Sequence, residues 1–168
     1  MEELRTDTEA LFRLGMKHVY GDGVEQSYPK AIELITQAAD QGHVEATYNL
    51  AIFYHYGYGV DADLKKAYAL YLRSADADYA KGKHLIGRFY YKGLYVPQDY
   101  EKAIEWFRKS DACNDPTAMG FNKCYLGVCY AKGYGIARDM AEAERLFALA
   151  IAEGGDYAKK LIDDLMSA

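Results

Sequence analysis

A period of 36 residues constrains this chain more than any other feature. Leu14-Gly15, Tyr20-Gly21-Asp22-Gly23-Val24 and Lys30-Ala31 return 36 residues later as Leu50-Ala51, Tyr56-Gly57-Tyr58-Gly59-Val60 and Lys66-Ala67. A second step of 36 gives Ile86-Gly87, Lys92-Gly93-Leu94-Tyr95-Val96 and Lys102-Ala103. The last step is 40, to Leu126-Gly127, Lys132-Gly133-Tyr134-Gly135-Ile136 and Glu142-Ala143, with the four extra residues falling near Met119 to Asn122, about one helical turn. A fixed period of this length marks an array of supersecondary units, none of which buries its apolar face alone.

Each copy reads as two helices joined by a glycine turn. Small and apolar residues recur at helical spacing before the turn (Ala46, Leu50, Ala51, Tyr54) and after it (Ala67, Leu70, Tyr71, Ser74, Ala75). The glycines suit positive φ just beyond a helix C-terminus. Ser27, Asp63, Asp99 and Asp139 share one position before the second helix and are all N-cap types, and Pro29 fits a first helical turn. Asp139 with Glu142 makes a capping-box pattern. Two small-residue series, Gly15/Ala51/Gly87/Gly127 and Ala31/Ala67/Ala103/Ala143, predict close approach within each pair. The bulkier series Leu34/Leu70/Trp106/Leu146 and Ile35/Tyr71/Phe107/Phe147 are expected to fill the space between pairs. The expected fold is all-α: one repeat domain over 1–168, with repeats at about 10–45, 46–81, 82–121 and 122–157. A helix over 157–166 (Tyr157, Leu161, Ile162, Leu165, Met166) covers the end.

Composition narrows the function class. The chain has 168 residues, 51% apolar and 27% charged, so it can build a core and is not disordered. Its net charge of −5 argues against general nucleic-acid binding. No apolar run is long enough for a membrane span, and the acidic opening at 1–5 does not read as a secretory signal. Three cysteines, Cys113, Cys124 and Cys129, do not recur with the repeat and fit a reducing, cytoplasmic setting better than a disulfide framework.

The Leu-Gly pair, a Tyr three residues on, the Gly-x-Gly-Val turn, Asp-x-x-Lys-Ala and the aromatic pair that follows resemble the Sel-one-like repeat family, relatives of tetratricopeptide repeats. The resemblance covers about residues 10–158. His18 stands in the Tyr series Tyr54/Tyr90/Tyr130, and Tyr95 replaces the second turn glycine of repeat three. The resemblance implies a right-handed α-solenoid with a concave face that serves as an adaptor between proteins.

Sites for chemistry are few. Ser27-Tyr28-Pro29-Lys30 matches the Ser-x-x-Lys pattern of serine β-lactamases and penicillin-binding proteins, but neither Ser-Asp-Asn nor Lys-Thr-Gly accompanies it, and the position is the shared N-cap. The histidines His18, His43, His55 and His84 never pair at metal-binding helical spacing. Cys124 and Cys129 face different ways on a helix, so no metal or cofactor is expected. Asp76-Ala77-Asp78 lacks the glycine and glutamate of a calcium loop.

By analogy with tetratricopeptide grooves, four series on the first helices are expected to face the concave side: Phe12/Tyr48/His84/Cys124, Met16/Ile52/Arg88/Val128, Val19/His55/Tyr91/Ala131 and Tyr20/Tyr56/Lys92/Lys132. The expected partner-binding residues are Phe12, Tyr20, Tyr48, Ile52, His55, Tyr56, His84, Arg88, Tyr91, Lys92 and Lys132. They run from aromatic and aliphatic to cationic, which suits a peptide or protein segment with acidic and apolar anchors. The leading expectation is a non-enzymatic adaptor. A β-lactamase-like hydrolase or penicillin binder using Ser27 and Lys30, and a purely structural spacer, are the alternatives.

Overall fold

The computed structural model describes residues 7–167, with every side chain in that span except those of residues 116, 117 and 119. The opening at 1–5, read above as no secretory signal, lies outside the described residues. Among the described residues eight helices follow one another: α1 (Thr8–Tyr20), α2 (Tyr28–Asp40), α3 (Val44–Tyr56), α4 (Leu64–Asp76), α5 (Ala80–Lys92), α6 (Tyr100–Asp111), α7 (Pro116–Lys132) and α8 (Met140–Ser167). No strand occurs among the described residues. The chain forms two compact units, the first up to Ala77 with α1–α4 and the second from Asp78 with α5–α8.

The turn within each pair is built the same way four times. Gly21, Gly57, Gly93 and Gly133 follow a first helix with φ of 72°, 74°, 66° and 72°, the left-handed conformation glycine adopts without a Cβ penalty. The chain then folds back until the N-cap amide reaches the helix it has left. Ser27 N–H donates to the His18 carbonyl at 2.9 Å, Asp63 to Tyr54 at 2.8 Å, Asp99 to Tyr90 at 3.0 Å and Asp139 to Tyr130 at 3.0 Å. Because that bond uses the backbone, His18 can replace tyrosine in the series. Its ring sits 2.8 Å from the Glu25 carbonyl instead. Asp63, Asp99 and Asp139 each accept the amide three residues on at 2.9–3.0 Å, so the N-cap pattern is borne out.

The second turn glycine has two separate requirements. Gly23, Gly59 and Gly135 all have positive φ, and Tyr95 in repeat three takes the same conformation at φ 62°, so that turn survives its substitution. Gly59 and Gly135 must also be small. A Cβ on Gly59 would lie 2.3 Å from Tyr28 Cβ, and one on Gly135 would lie 2.7 Å from the Glu101 amide, whereas nothing lies within 4 Å of Gly23. Each of these two turns presses on the first turn of the preceding repeat's second helix. Tyr58 stacks on Tyr28 at 6.3 Å, and Tyr134 on Tyr100 at 4.5 Å.

Within pairs, the glycine series makes close contact, but not only with the alanines. A Cβ on Gly15 would be 2.7 Å from the Ile35 side chain and 3.3 Å from the Ala31 carbonyl. Gly87 and Gly127 lie beneath the Phe107 and Phe147 rings, at 2.6 and 2.5 Å from a built Cβ. The bulky residue one turn after each alanine therefore fills the pair itself, because removing the Cβ creates a slot that a ring can enter. The first unit's core gathers Leu11, Phe12, Ile35, Leu50 and Phe53, with Ala31, Ala38, Ala39 and Ala46. That of the second unit gathers Ile104, Phe107, Tyr125, Val128 and Leu146 with the final segment.

The four extra residues lengthen a helix: α7 has 17 residues where α1, α3 and α5 have 13. α8 is broken at Gly155 (φ 55°, ψ −140°). Beyond the break Ala158, Ile162 and Leu165 join the second unit's core, as a covering helix should, while Tyr157 is 64% exposed and Met166 faces out.

The outer face of α1 differs from its counterparts. In α3, which packs against α2, and in α7, which packs against α6, the positions equivalent to Leu14 and Lys17 are buried as Leu50 and Phe53, and as Leu126 and Cys129. On α1 these positions are an exposed Leu14 and an exposed Lys17, with exposed Arg13 beside them where α7 has buried Tyr125.

Candidate interaction surface

The expected binding residues separate into three environments. In the first unit, Tyr20 is 74% and Tyr56 50% exposed, at the C-terminal ends of α1 and α3. Tyr56 stacks on His55 at 4.4 Å and on Tyr58 at 5.6 Å, giving a run of ring faces on the surface. His55 Nδ1 lies 3.2 Å from the buried Tyr71 hydroxyl, which fixes that run to the interior. Tyr48 and Ile52 are half-buried, and Tyr48 also packs on Tyr71, at 5.7 Å. On α1, Phe12, Met16 and Tyr20 follow one another at four-residue spacing and line a shallow depression of about 280 Å³ with Arg13, Lys17 and Asp22. Phe12 itself is buried and packs on the His43 ring at 4.8 Å. His43 caps α3, with Nδ1 accepting the Ala46 amide at 3.1 Å, and contacts Glu9 through Nε2 at 2.9 Å.

In the second unit the expected cationic strip is shorter than the sequence suggests. His84 is not a surface residue. It is 7% exposed, with Nδ1 2.7 Å from Asn122 Oδ1 and its ring among Phe107, Phe121 and Tyr125. Burial pushes its pKa down to about 4, with the Arg88 charge adding to the effect against the Asn122 bond, so it is neutral at ordinary pH. Asn122 completes the network by donating to Ser110 Oγ at 2.9 Å and Asp111 Oδ1 at 2.8 Å. Ser110 Oγ in turn donates to the Ala80 carbonyl at 2.8 Å. Tyr91 is also buried, edge-on to Tyr100 at 5.3 Å and Tyr125 at 5.0 Å, and burial raises its pKa.

Arg88 is half-buried beside Tyr125; burial raises the Tyr125 pKa, while the guanidinium's charge and hydrogen bond work the other way. Lys92 is exposed, and partial burial together with the Arg88 charge lowers its pKa. Lys132, expected to extend the strip, donates to the Leu165 carbonyl at 3.2 Å and lies over the Tyr134 ring. It ties down the final helix, leaving Arg88 and Lys92 as the cationic pair of the expected set.

The other candidate sites resolve as local structure. Ser27 Oγ sits 3.5 Å from the Lys30 amide, in the capping position that aspartates fill in the other repeats. Cys124 and Cys129 are buried, and burial pushes their thiols up to about 11 and about 12. Cys113 is half-buried. Among the described residues, no group of three His, Cys, Asp or Glu side chains could hold a metal ion, and no helix is long and apolar enough to cross a membrane. Two polar residues that shape this surface, His43 and Asn122, were not among those expected. Asn122 lies inside the extra helical turn, where no other repeat offers a counterpart.

Comparison with known proteins agrees with this architecture. No curated protein matches the sequence. A Sel1 repeat protein from Oxalobacter formigenes shares the fold with a TM-score of 0.83 at 23% identity, over 93% of this chain and 62% of its own. A protective antigen of uropathogenic Escherichia coli strains displaying an SLR fold gives 0.64 at 24% identity, over 92% of this chain and 40% of its own. Cysteine rich protein B of Helicobacter pylori gives 0.56 at 21% identity, over 84% and 98% respectively. The chain thus spans less than two thirds of the first two relatives. The Sel1 repeat family model matches residues 8–43, 44–79, 80–110 and 123–155, skipping only the segment that holds the extra turn between its third and fourth copies. With four such copies along most of its length, the chain belongs to the Sel1 repeat family.

Proposed function

We propose that this chain is a non-enzymatic scaffold that binds a protein segment carrying both acidic and apolar anchors on the concave face formed by its first helices. Sel1 repeat proteins are generally scaffolds for protein interaction. The observation that carries the reading is one repeat-equivalent position, Tyr20/Tyr56/Lys92/Lys132. Three of its four members are exposed, yet they are two tyrosines and a lysine rather than interchangeable polar residues. Packing does not require large aromatic side chains there, whereas a contact surface does, because tyrosine offers large area and a polar tip at low entropic cost. In the first unit Tyr20, Tyr56, Ile52, Tyr48 and His55 supply the apolar part. In the second, Arg88 and Lys92 supply cations four residues apart on α5 for carboxylates. Buried Phe12, His84 and Tyr91 support this surface from beneath, and Lys132 supports its C-terminal neighbour.

The test uses a partner captured by the native chain, titrated calorimetrically against two folded double variants. Tyr20→Ser with Tyr56→Ser, and Arg88→Glu with Lys92→Glu, should each weaken binding by roughly 2 kcal/mol or more. Native affinity in both variants would move binding to another face and favour a spacer.

A further inference from the structure

Away from the proposed surface, the second unit holds a compact group of three reactive side chains. Cys113, in the turn after α6, places Sγ 3.1 Å from Nζ of Lys83 on α5. Asp78, which precedes α5, ion-pairs with the same ammonium and has Oδ1 3.8 Å from Sγ. The Lys83 side chain is 12% exposed and the Asp78 side chain 83% exposed. Amine and thiol are therefore held against each other, while the carboxylate opens a path to solvent. The other two thiols have no comparable setting: both are buried, and Cys124 meets the carbonyls of Gly120 and Ala158.

We propose that Lys83 and Cys113 form an oxidative cross-linking site, closing a nitrogen–oxygen–sulfur bridge when the protein meets hydrogen peroxide. Peroxide first oxidises the thiol to a sulfenic acid and leaves as water. Lys83, its ammonium proton released to solvent past Asp78, takes an oxygen from a second peroxide to become a hydroxylamine, with a second water released. The hydroxylamine oxygen attacks the sulfenic sulfur, displaces its hydroxyl and loses its own proton, giving a third water and the N–O–S bridge. Two peroxides are reduced, and the amine and thiol together lose four electrons. A dithiol reductant reverses the sequence, two dithiols returning the amine and thiol with one water. The 3.1 Å separation needs only one intervening oxygen atom, so the bridge forms without moving either helix far. It fastens α5 to the turn after α6, between residues 30 apart in sequence.

The experiment treats the full chain with hydrogen peroxide and measures intact mass, followed by peptide mapping with and without dithiothreitol. The expected product is a gain of about 14 Da, one oxygen less two hydrogens, in a species joining the peptides of Lys83 and Cys113 and lost on reduction. Lys83→Arg keeps the cation but cannot close the bridge, and should give only the gain of about 16 Da for a sulfenic acid, or higher oxides. Cys113→Ser should give neither, and Asp78→Asn should slow cross-linking. The same products from the native chain and Lys83→Arg, a disulfide-linked dimer, or an unchanged native mass would each overturn the proposal.

Discussion

Burial of His84 makes the second unit sensitive to mild acid. In the unfolded chain the imidazole titrates near 6.5, and in the fold burial holds it at about 4. The unfolded state therefore binds more protons throughout the interval between these values. The contribution is fully favourable above about pH 6.5 and is lost as pH falls from there through about 4. Between about pH 7 and about pH 5 the loss works out at about 2 kcal/mol. Asp111, two bonds away through Asn122, acts with the opposite sign. Burial raises its pKa, so the folded state gains protons there as pH falls, which is why the comparison is made against a variant that changes only His84. The Arg88 charge is constant across it. Trp106, the one tryptophan, lies on α6 of the same unit, so its fluorescence in a urea titration reports the relevant unfolding. His84→Gln retains a hydrogen-bonding group toward Asn122 but does not titrate. It should be less stable at pH 7 by about 1–3 kcal/mol for lost packing, and should lose about 2 kcal/mol less than the native chain on going to pH 5. An equal drop in both proteins would refute the assignment of His84 as a buried neutral group.

Three further outcomes follow from packing. Gly87→Ala and Gly127→Ala push a methyl into the Phe107 and Phe147 rings and should cost about 1–3 kcal/mol by thermal melts, whereas Gly120→Ala, with its nearest neighbour at 3.5 Å, should be neutral or gain up to about 1 kcal/mol. Gly59→Ala and Gly23→Ala share the cost of an L-residue at positive φ, about 1–2 kcal/mol, but only Gly59→Ala should add a further loss from collision with Tyr28. Asp99→Ala removes the cap on the Lys102 amide and should destabilise by about 1 kcal/mol, read as a lower urea midpoint at unchanged slope.

The repeat period, the caps, the glycine turns and the extra turn of α7 could be read from sequence because each is a local rule applied four times. The cationic strip was misread because His84 and Lys132 owe their roles to single residues outside the period. His84 is neutralised by burial and bonded to Asn122, in the inserted turn 38 positions away. Lys132 bonds a carbonyl of the non-repetitive final helix. One signal was available: His84 shares its column with Phe12, Tyr48 and Cys124, an apolar series better suited to an interior than to a groove. The place of Ile35, Phe107 and Phe147 on the glycines was less accessible, since spacing alone does not say which neighbour a bulky side chain fills.

Lys17 and Arg13 give the array a grammar. The first copy does not interchange with the second or the fourth, since seated in either place it would bury Lys17 where α3 carries Phe53 and α7 carries Cys129, and in the fourth place it would set Arg13, paired here with Glu9, where α7 carries buried Tyr125. An uncompensated buried charge costs several kcal/mol. A unit copied from downstream of α2 therefore enters the stack more readily than a copy of α1 and α2. A repeat duplicated there inherits compatible neighbours, and one duplicated from the N-terminal position does not. Which unit can be copied inward, by evolution or by a designer, is written on one face of one helix.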